Sequence, residues 1–252
     1  MVGPFLAAVS FLTRIPVRRD TSRADVAGAT AWFPLVGALV GALVGTTFAV
    51  VDPLVSPLSA AAVAVTVGAL ITGGFHEDGL GDTADGFGGG WTADERLAIM
   101  DDSRQGTYGV LAIACSVVIR AAALSALSGW SAVPVVAGVH LMARNWAVIA
   151  LAVTRPARPQ GLAHAATRSG TSGRPRLLAA ALAWLMVGLG LLGPATFVVA
   201  ALAGLATTTA IVALSYRKIG GVTGDVLGTV EQLAETMALV SAAGSWARWG
   251  LW

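Results

Sequence analysis

Charged residues are scarce in this chain of 252 residues. Only 12% of the residues are Asp, Glu, Lys or Arg, whereas 56% are hydrophobic and the mean hydropathy is +0.75. A soluble domain of this size carries about 25% charged residues. The composition therefore predicts an integral membrane protein and argues against a soluble enzyme.

Cysteine is nearly absent, because Cys115 is the only one in the chain. A single thiol excludes an intrachain disulfide and a metal site built from several thiolates. Cys115 lies inside an apolar run, where we interpret it as a packing residue. The formal charge of +2 arises largely from a few loops, and it does not indicate a nucleic-acid partner.

Long apolar runs, in contrast, are abundant. A helix of about 20 residues crosses a bilayer, and seven runs approach or reach that length: 31–51, 58–74, 107–127, 133–153, 177–193, 195–214 and 233–249. We predict an all-α bundle with six or seven transmembrane helices in one membrane-embedded domain, 1–252. Residues 1–13 are short for a span and follow no basic residue, so we expect a re-entrant or interfacial helix rather than a cleaved signal peptide.

Basic residues are distributed unevenly among the connections between these runs. Most of the 16 Lys and Arg residues lie in 14–23, 96–104, 155–176 and 217–218, whereas the connections near 52–57, 128–132 and 193–195 hold none. Lys and Arg favour the cytoplasmic side of short loops. The alternation predicts that the basic segments face the cytoplasm and that 155–176 forms a mobile loop there.

Four acidic residues follow one apolar run directly, in the segment 76–90, HEDGLGDTADGFGGG. Asp78, Asp82 and Asp85 share one face of a helix, because they stand at i, i+4 and i+7. Carboxylates on one face, with glycines that admit phosphate oxygens, suit a site where Mg²⁺ joins the protein to a diphosphate. We predict such a site here, and the alternative is a solvated loop. His76 is either a metal ligand, a proton carrier or a structural residue.

The segment 216–235 has a similar pattern. Gly73-Gly74 precede Asp78 as Gly220-Gly221 precede Asp225, and both pairs follow predicted helices that run in the same direction. We hypothesise that the two motifs are distant repeats that converge on one site.

Charged side chains at membrane depth are costly and are usually functional. We therefore give weight to Asp225 and Glu231, whereas Glu235 is interpreted as a solvated residue near a helix start. Arg144 lies within an apolar run, so we expect a carboxylate or an anionic ligand beside it. Arg104 precedes a span, where it either clamps a phosphate or acts as a capping and positive-inside residue.

Four segments, in matching order, resemble the cobalamin synthase family of adenosylcobinamide-GDP ribazoletransferases. They are FLTRIPV at 11–17, GGFHEDGLGDTADGFGGG at 73–90, DSRQGTYG at 102–109 and GGVTGDVLG at 220–228. The resemblance extends from near residue 5 to about residue 235. Gly81 departs from the pattern, because alanine is expected more often at this position.

The resemblance implies a Mg²⁺-dependent enzyme of the bacterial or archaeal inner membrane, with its active site facing the cytoplasm. Such an enzyme transfers adenosylcobinamide phosphate from adenosylcobinamide-GDP to α-ribazole, or to its 5′-phosphate, and releases GMP. The partners it implies are these small molecules and the lipid bilayer. Assembly into homo-oligomers, or with enzymes of the same pathway, is compatible with this setting.

The resemblance and the chemistry together assign candidate roles to the polar residues. The expected ligands of metal and diphosphate are Glu77, Asp78, Asp82, Asp85 and Asp225. The candidate catalytic carboxylates are Asp82, Asp85, Asp102 and Glu231, and the sequence does not rank the last three as the base. The candidate substrate-binding residues are Arg14, Arg104, Lys218, Gly86 and Gly88.

Three rival functions share parts of this pattern. A CDP-alcohol phosphotransferase of lipid synthesis uses a comparable Asp-rich motif, but its signature places Ala-Arg where Phe87-Gly88 stands. A polyprenyl transferase also binds diphosphate through Asp-rich sites, and turnover of isoprenyl diphosphates would identify it. A divalent-cation transporter would place its carboxylates at mid-span depth rather than at one membrane face.

Overall fold

The computed structural model describes residues 2–17, 28–159 and 173–249. These residues form helices and connections, with one isolated bridge between Pro156 and Val222 as the only β pairing in the described ranges. The helices, in chain order, are α1 (Val2–Leu12), α2 (Phe33–Val51), α3 (Pro57–Thr72), α4 (Phe75–Gly89), α5 (Ala93–Met100), α6 (Thr107–Leu124), α7 (Ala132–Val153), α8 (Gly173–Leu192), α9 (Pro194–Ile219) and α10 (Gly224–Trp249). The predicted all-α class is confirmed.

Five helical segments of the described ranges are long and apolar enough to cross a membrane. They are Thr30–Leu54, Thr107–Leu124, Gly129–Val153, Gly173–Leu192 and Pro194–Ile219, and the bent pair α3–α4 makes a sixth if it counts as one span. If α3–α4 counts as one span, the bundle has six candidate spans, in agreement with the prediction of six or seven. The seventh run, 233–249, is instead the second half of α10, which is not among these spans.

Helices α7 and α10 form the centre of the bundle. Helix α7 packs against α2, α8, α9 and α10, and α10 packs against α4, α6, α7 and α9. Glycines let α2 approach α7 closely: a Cβ atom on Gly41 would lie 2.5 Å from the carbonyl oxygen of Val136, and one on Gly45 would lie 2.8 Å from the Cα of Val133. Small residues at such spacing allow close backbone contact between membrane helices.

Paired glycines end the apolar helix that precedes each acidic motif. Gly73 and Gly74 have φ angles of 71° and 70°, and the chain turns by 90° between α3 and α4. Gly220, which follows α9, has a φ of 77°. Glycine adopts this left-handed conformation without a steric penalty. A left-handed glycine thus ends the apolar helix before each acid-bearing helix.

Three other expectations concern the first helix, Cys115 and the loop at 155–176. Residues 2–12 form helix α1, whose Phe11 stacks on Phe33 at 5.6 Å between ring centroids. Cys115 is exposed on α6, so its interpretation as a packing residue is wrong. Most of the predicted mobile loop at 155–176 lies outside the described residues, as do 18–27.

Candidate active site

The two acidic motifs meet where α4 crosses α10. A Cβ atom on Gly79 would lie 3.0 Å from the carbonyl oxygen of Asp225 and 3.1 Å from its Cα. Thr229 on α10 donates a hydrogen bond of 3.0 Å to the carbonyl oxygen of Gly79. Contact this close leaves no room for a side chain between the helices. The predicted convergence of the motifs is confirmed, while their origin as repeats stays a hypothesis.

The carboxyl groups of Asp82 and Asp225 have neutral hydrogen-bond partners at this crossing. Asp82 accepts a hydrogen bond of 2.8 Å from the neutral amide of Gln105, and Asp225 accepts one of 3.2 Å from the hydroxyl of Thr223. The carboxyl group of Asp82 is repelled by Asp78 and Asp225. Like charges held together in a half-buried site favour binding of a cation.

A complete metal site is not preassembled in the described ranges. No group of three or more His, Cys, Asp or Glu side chains among residues 2–17, 28–159 and 173–249 lies close enough to hold an ion. A cation at Asp78, Asp82 and Asp225 would therefore need further ligands from substrate or water. Mg²⁺ commonly binds in this way, through one or two carboxylates together with substrate phosphates.

Two of the five predicted metal ligands contact other protein groups, and their role as ligands stays a prediction. Asp85 is buried and accepts hydrogen bonds from the backbone N–H groups of Gly106, at 2.7 Å, and Gly109, at 2.9 Å. It thereby fixes the start of α6 against α4. Glu77 forms an ion pair of 2.9 Å with Arg120. Both carboxylates thus join α4 to residues of α6 or of its start.

A buried ion network lies behind the acidic helix. Arg120 donates to Glu235 Oε1 at 2.9 Å, and Arg144 Nη1 lies 2.6 Å from Glu231 Oε1 and 3.2 Å from Glu235 Oε2. The expected carboxylate partner of Arg144 is confirmed. The interpretation of Glu235 as solvated is wrong, since it is 3% exposed in the bundle centre.

Two histidines complete the network. His140 Nδ1 lies 3.0 Å from Glu235 Oε2, and His76 Nδ1 lies 3.3 Å from Glu231 Oε2. Arg120 and His140 are two residues of this network that were not predicted from the sequence. A charged residue within an apolar run was the available signal for Arg120, as it was for Arg144.

The predicted phosphate-binding side chains occupy different surroundings. Lys218 donates a hydrogen bond of 2.8 Å to the carbonyl oxygen of Phe87, near the end of α4. Arg14 lies over the α3–α4 turn, where a Cβ atom on Gly73 would come within 3.0 Å of its Cδ. The guanidinium of Arg104 is largely exposed and pairs with Asp102 at 2.6 Å.

The pair formed by Asp102 and Arg104 lies in the loop before α6. The hydrogen bond from Arg104 lowers the pKa of Asp102 to about 2, and the same contact raises the pKa of Arg104. A carboxylate with so low a pKa is a weak proton acceptor. The structure thus gives Asp102 a partner on the surface rather than a place beside the three converging aspartates.

Gly86 and Gly88 make close helix contacts rather than an open backbone surface. A Cβ atom on Gly86 would lie 2.5 Å from Met100 Cγ, and one on Gly88 would lie 2.7 Å from the ring of Tyr108. The absence of a side chain at these positions is explained by packing. Their predicted contact with phosphate stays a prediction.

Two cavities border Asp78. One, of about 520 Å³, is lined by Arg14, Gly73, Gly74, Glu77, Asp78 and Gln105 among others. The other, of about 190 Å³, lies beside α10 and is lined by Phe33, His76, Asp78, Ala147, Asp225 and Glu231 among others. Asp78, Phe11 and Phe75 line both cavities. A ligand in one cavity would therefore meet a ligand in the other at Asp78.

Comparisons with known proteins agree in one family. The model of the cobalamin-5-phosphate synthase family matches residues 4–243. A protein of Bradyrhizobium diazoefficiens named adenosylcobinamide-GDP ribazoletransferase is 39% identical over 251 residues, which cover 96% of this chain and 94% of the relative. A protein of the same name from Shewanella baltica is 36% identical, over 92% of this chain and 90% of its own length.

A third relative of that name, from Rhizobium etli, is 42% identical over 73% of each chain. No solved structure matches the chain. The family model covers both acidic motifs and the helices that join them, so the chain belongs to the cobalamin-5-phosphate synthase family.

Proposed function

We propose that this protein is an adenosylcobinamide-GDP ribazoletransferase. The observation that carries the proposal is the approach of Asp78, Asp82 and Asp225 to one another where Asp78 borders two cavities, in a chain that matches relatives of that name over nearly its whole length. In this reaction a ribose hydroxyl of α-ribazole, other than the 5′-hydroxyl that is esterified in the 5′-phosphate acceptor, attacks the phosphorus that carries cobinamide. The bond to GMP breaks, GMP leaves, and the hydroxyl proton passes to a base.

The larger cavity suits the diphosphate of the donor. Arg14 provides a guanidinium at its wall. At the turn, Gly73 and Gly74 have no side chains, so their backbone lines the cavity directly. Arginine binds phosphate through a planar pair of donors. Asp78 stands at the border to the second cavity, where the attacking hydroxyl would arrive.

Magnesium suits the remaining acidic groups of this site. Asp78, Asp82 and Asp225 would hold the ion, which neutralises phosphate oxygens and the leaving GMP when it is bound. Asp82 and Asp225 accept hydrogen bonds from uncharged partners, so no ion pair with those partners competes with the metal. Glu77 and Asp85 would support the site indirectly, by fixing α6 against α4.

Asp78 is the carboxylate best placed to accept the proton of the attacking hydroxyl, because it lines both cavities. Asp85 is held by two backbone N–H groups, Asp102 by Arg104, and Glu231 lies fully buried beside Arg144. Proton transfer requires a base within hydrogen-bond reach of the hydroxyl. This geometric requirement favours Asp78 over the three carboxylates named from the sequence.

The acidic motifs lie at the basic end of the bundle. The basic segments that contain Arg14, Arg158 and Lys218 gather at the end of the bundle that carries the acidic motifs, where Arg158 pairs with Asp101. By the distribution of Lys and Arg, this end faces the cytoplasm of a bacterial or archaeal cell. The match over residues 4–243 favours this function over the lipid phosphotransferase, the polyprenyl transferase and the cation transporter.

Turnover of the two substrates tests the proposal directly. Detergent-purified protein receives adenosylcobinamide-GDP, α-ribazole and Mg²⁺, and chromatography measures GMP and the corrinoid product. We expect turnover by the wild type, and its loss both with EDTA and in Asp82→Ala. Well-folded protein that releases no GMP with α-ribazole or its 5′-phosphate would refute the proposal, and CDP-alcohols would then be tested as donors.

A further inference from the structure

The smaller cavity has a continuous aromatic wall. The rings of Phe11 and Phe33 stack at 5.6 Å with an interplanar angle of 10°, and Phe75 meets Phe11 edge-on at 5.0 Å. All three rings line the cavity, together with Leu151 and Leu227. Aromatic walls of this kind bind flat rings through stacked and edge-to-face contacts.

The size of the cavity indicates the size of its ligand. An apolar protein cavity of about 150 Å³ holds benzene, whereas this cavity measures about 190 Å³. It therefore accommodates a ring system somewhat larger than benzene, such as a bicyclic heterocycle. A complete nucleoside exceeds this volume, so its sugar would lie at the mouth of the cavity.

A polar group without a hydrogen bond points to a heterocycle rather than a hydrocarbon. Glu231 lines the cavity and is 0% exposed, and neither of its carboxylate oxygens accepts a hydrogen bond from the described residues. Its contacts with Arg144 and His76 are ion-pair contacts only. A buried carboxylate without hydrogen bonds is costly, and a ring nitrogen that shares a proton with it would remove that cost.

The acceptor, α-ribazole, is a nucleoside whose base is 5,6-dimethylbenzimidazole. We propose that this cavity binds that base, an inference that rests on the proposed function. The base stacks against Phe11, Phe33 and Phe75, and its free ring nitrogen faces Glu231. The ribose then lies at the mouth beside Asp78 and Asp225. Because Asp78 also lines the larger cavity, the attacking ribose hydroxyl reaches the diphosphate of the donor at that point.

Narrowing the cavity tests this assignment. Ala147 lines the cavity from α7, and Ala147→Leu would fill part of it. We expect the KM for α-ribazole to rise at least 10-fold, while the KM for adenosylcobinamide-GDP stays unchanged. Ala122→Leu is the matched control, because Ala122 is exposed on α6 away from the cavity, and both KM values should match those of the wild type.

A change in preference separates this effect from damage to the fold. The riboside of benzimidazole lacks the two methyl groups of the natural acceptor, so it should tolerate the narrower cavity. Pockets discriminate about 10- to 200-fold per methylene group. We expect the ratio of kcat/KM for the smaller acceptor to that for α-ribazole to rise about 10-fold or more in Ala147→Leu, whereas misfolding would lower both values equally.

The outcomes distinguish the inference from the proposed function. If the wild type forms product but Ala147→Leu changes only the donor KM, or changes neither KM nor preference, the inference is overturned and the proposed function stands. If the wild type releases no GMP, the proposed function fails. Equilibrium dialysis of 5,6-dimethylbenzimidazole against the full-length protein then tests the cavity alone: weaker binding by Ala147→Leu supports the assignment, and equal binding overturns it.

Discussion

Among the acidic residues, those with similar sequence surroundings differ sharply in how their charge is compensated. Asp225 accepts a hydrogen bond from a hydroxyl at the helix crossing, whereas Asp102 is neutralised by Arg104 at the surface. Replacement of Asp225 by Asn removes a charge that binds Mg²⁺ and phosphate, and it should lower kcat about 100-fold or more. Asp102→Asn is the control and should retain most activity. GMP release over a range of Mg²⁺ concentrations measures both variants, and half-saturation should shift upward only in Asp225→Asn.

The pH dependence of activity gives a second test of Asp102. The pKa of Asp102 is lowered to about 2, so the pair with Arg104 stabilises the fold at a pH above the ordinary value of 3.8. That contribution is lost only as the pH falls from 3.8 through about 2. The pair is therefore intact throughout the range in which activity is measured. Asp102→Asn should leave the shape of the pH profile between pH 5 and 9, approximately the range of enzyme assays, unchanged; an altered acidic limb would place Asp102 in the reaction.

The buried ion network gives a residue-scale prediction about stability. Glu235 contacts Arg120, Arg144 and His140 at 2.9–3.2 Å. Glu235→Gln leaves two buried guanidiniums partly uncompensated, and breaking a buried pair costs about 3–5 kcal/mol. The midpoint of thermal unfolding in detergent should fall by roughly 10 °C.

The control for this prediction is Glu95→Gln. Glu95 is exposed and accepts hydrogen bonds from the backbone of Trp91 and Thr92, which a glutamine side chain also accepts. Its unfolding midpoint should stay close to that of the wild type. Equal midpoints for Glu235→Gln and Glu95→Gln would contradict the stabilising role of the network.

The role of a residue could be predicted where a local sequence pattern indicates it. It could not be predicted where the role depends on a partner from another helix. The spacing of Asp78 and Asp82 placed both on one helix face, and the cost of burying Arg144 required a carboxylate nearby. Glu235 was misread because its partners, Arg120 and His140, come from other helices. No local pattern distinguishes a solvated glutamate from one that is neutralised by residues about 90–120 positions away.

At the scale of elements, the bounds of two helices agree with their apolar runs to within two residues. The run 31–51 corresponds to α2 at Phe33–Val51, and 133–153 corresponds to α7 at Ala132–Val153. The apolar run 233–249 covers only the later part of α10, which begins at Gly224. Its polar first half is surrounded by protein that supplies ion-pair and hydrogen-bond partners, so low hydropathy there does not end the helix.

The crossing of α4 and α10 depends on the small size of Gly79. A Cβ atom there would lie 3.0–3.1 Å from the backbone of Asp225, so Gly79→Val would push the two helices apart. Misplacement of catalytic groups by about 1 Å costs about 100-fold in rate. We expect kcat to fall by that order while circular dichroism still shows a helical protein.

Gly89 provides the matched control on the same helix. A Cβ atom on Gly89 would lie 3.5 Å from the flexible end of Ile99, which is ordinary van der Waals contact. Gly89→Val should therefore keep kcat within a few-fold of the wild type. If both variants lost activity equally, the loss would reflect the helical cost of valine rather than the contact between α4 and α10.

At the scale of the whole molecule, the orientation in the membrane follows from which ends of the spans carry charge. Helix α6 has 18 residues and a length of about 27 Å, so the loops before and after it lie at opposite ends of the bundle. The loop before α6 carries Arg104 near the acidic site. The connection after α6, near 128–132, holds no Lys or Arg. This asymmetry predicts that the loop containing Ser103 is cytoplasmic and that the connection containing Ser128 is external.

Cysteine labelling measures this orientation in cells. The single native thiol is replaced by Cys115→Ser, and either Ser103→Cys or Ser128→Cys is added at an exposed position. A maleimide that does not cross membranes should label Ser128→Cys in intact cells and label Ser103→Cys only after the cells are opened. The reverse pattern would place the aspartate cluster outside the cytoplasm, where a nucleotide-linked donor is not made, and would contradict the proposed reaction as well as the topology. Labelling of both variants in intact cells would instead show that α6 does not cross the membrane, and the bundle would then need fewer spans than its hydropathy indicates.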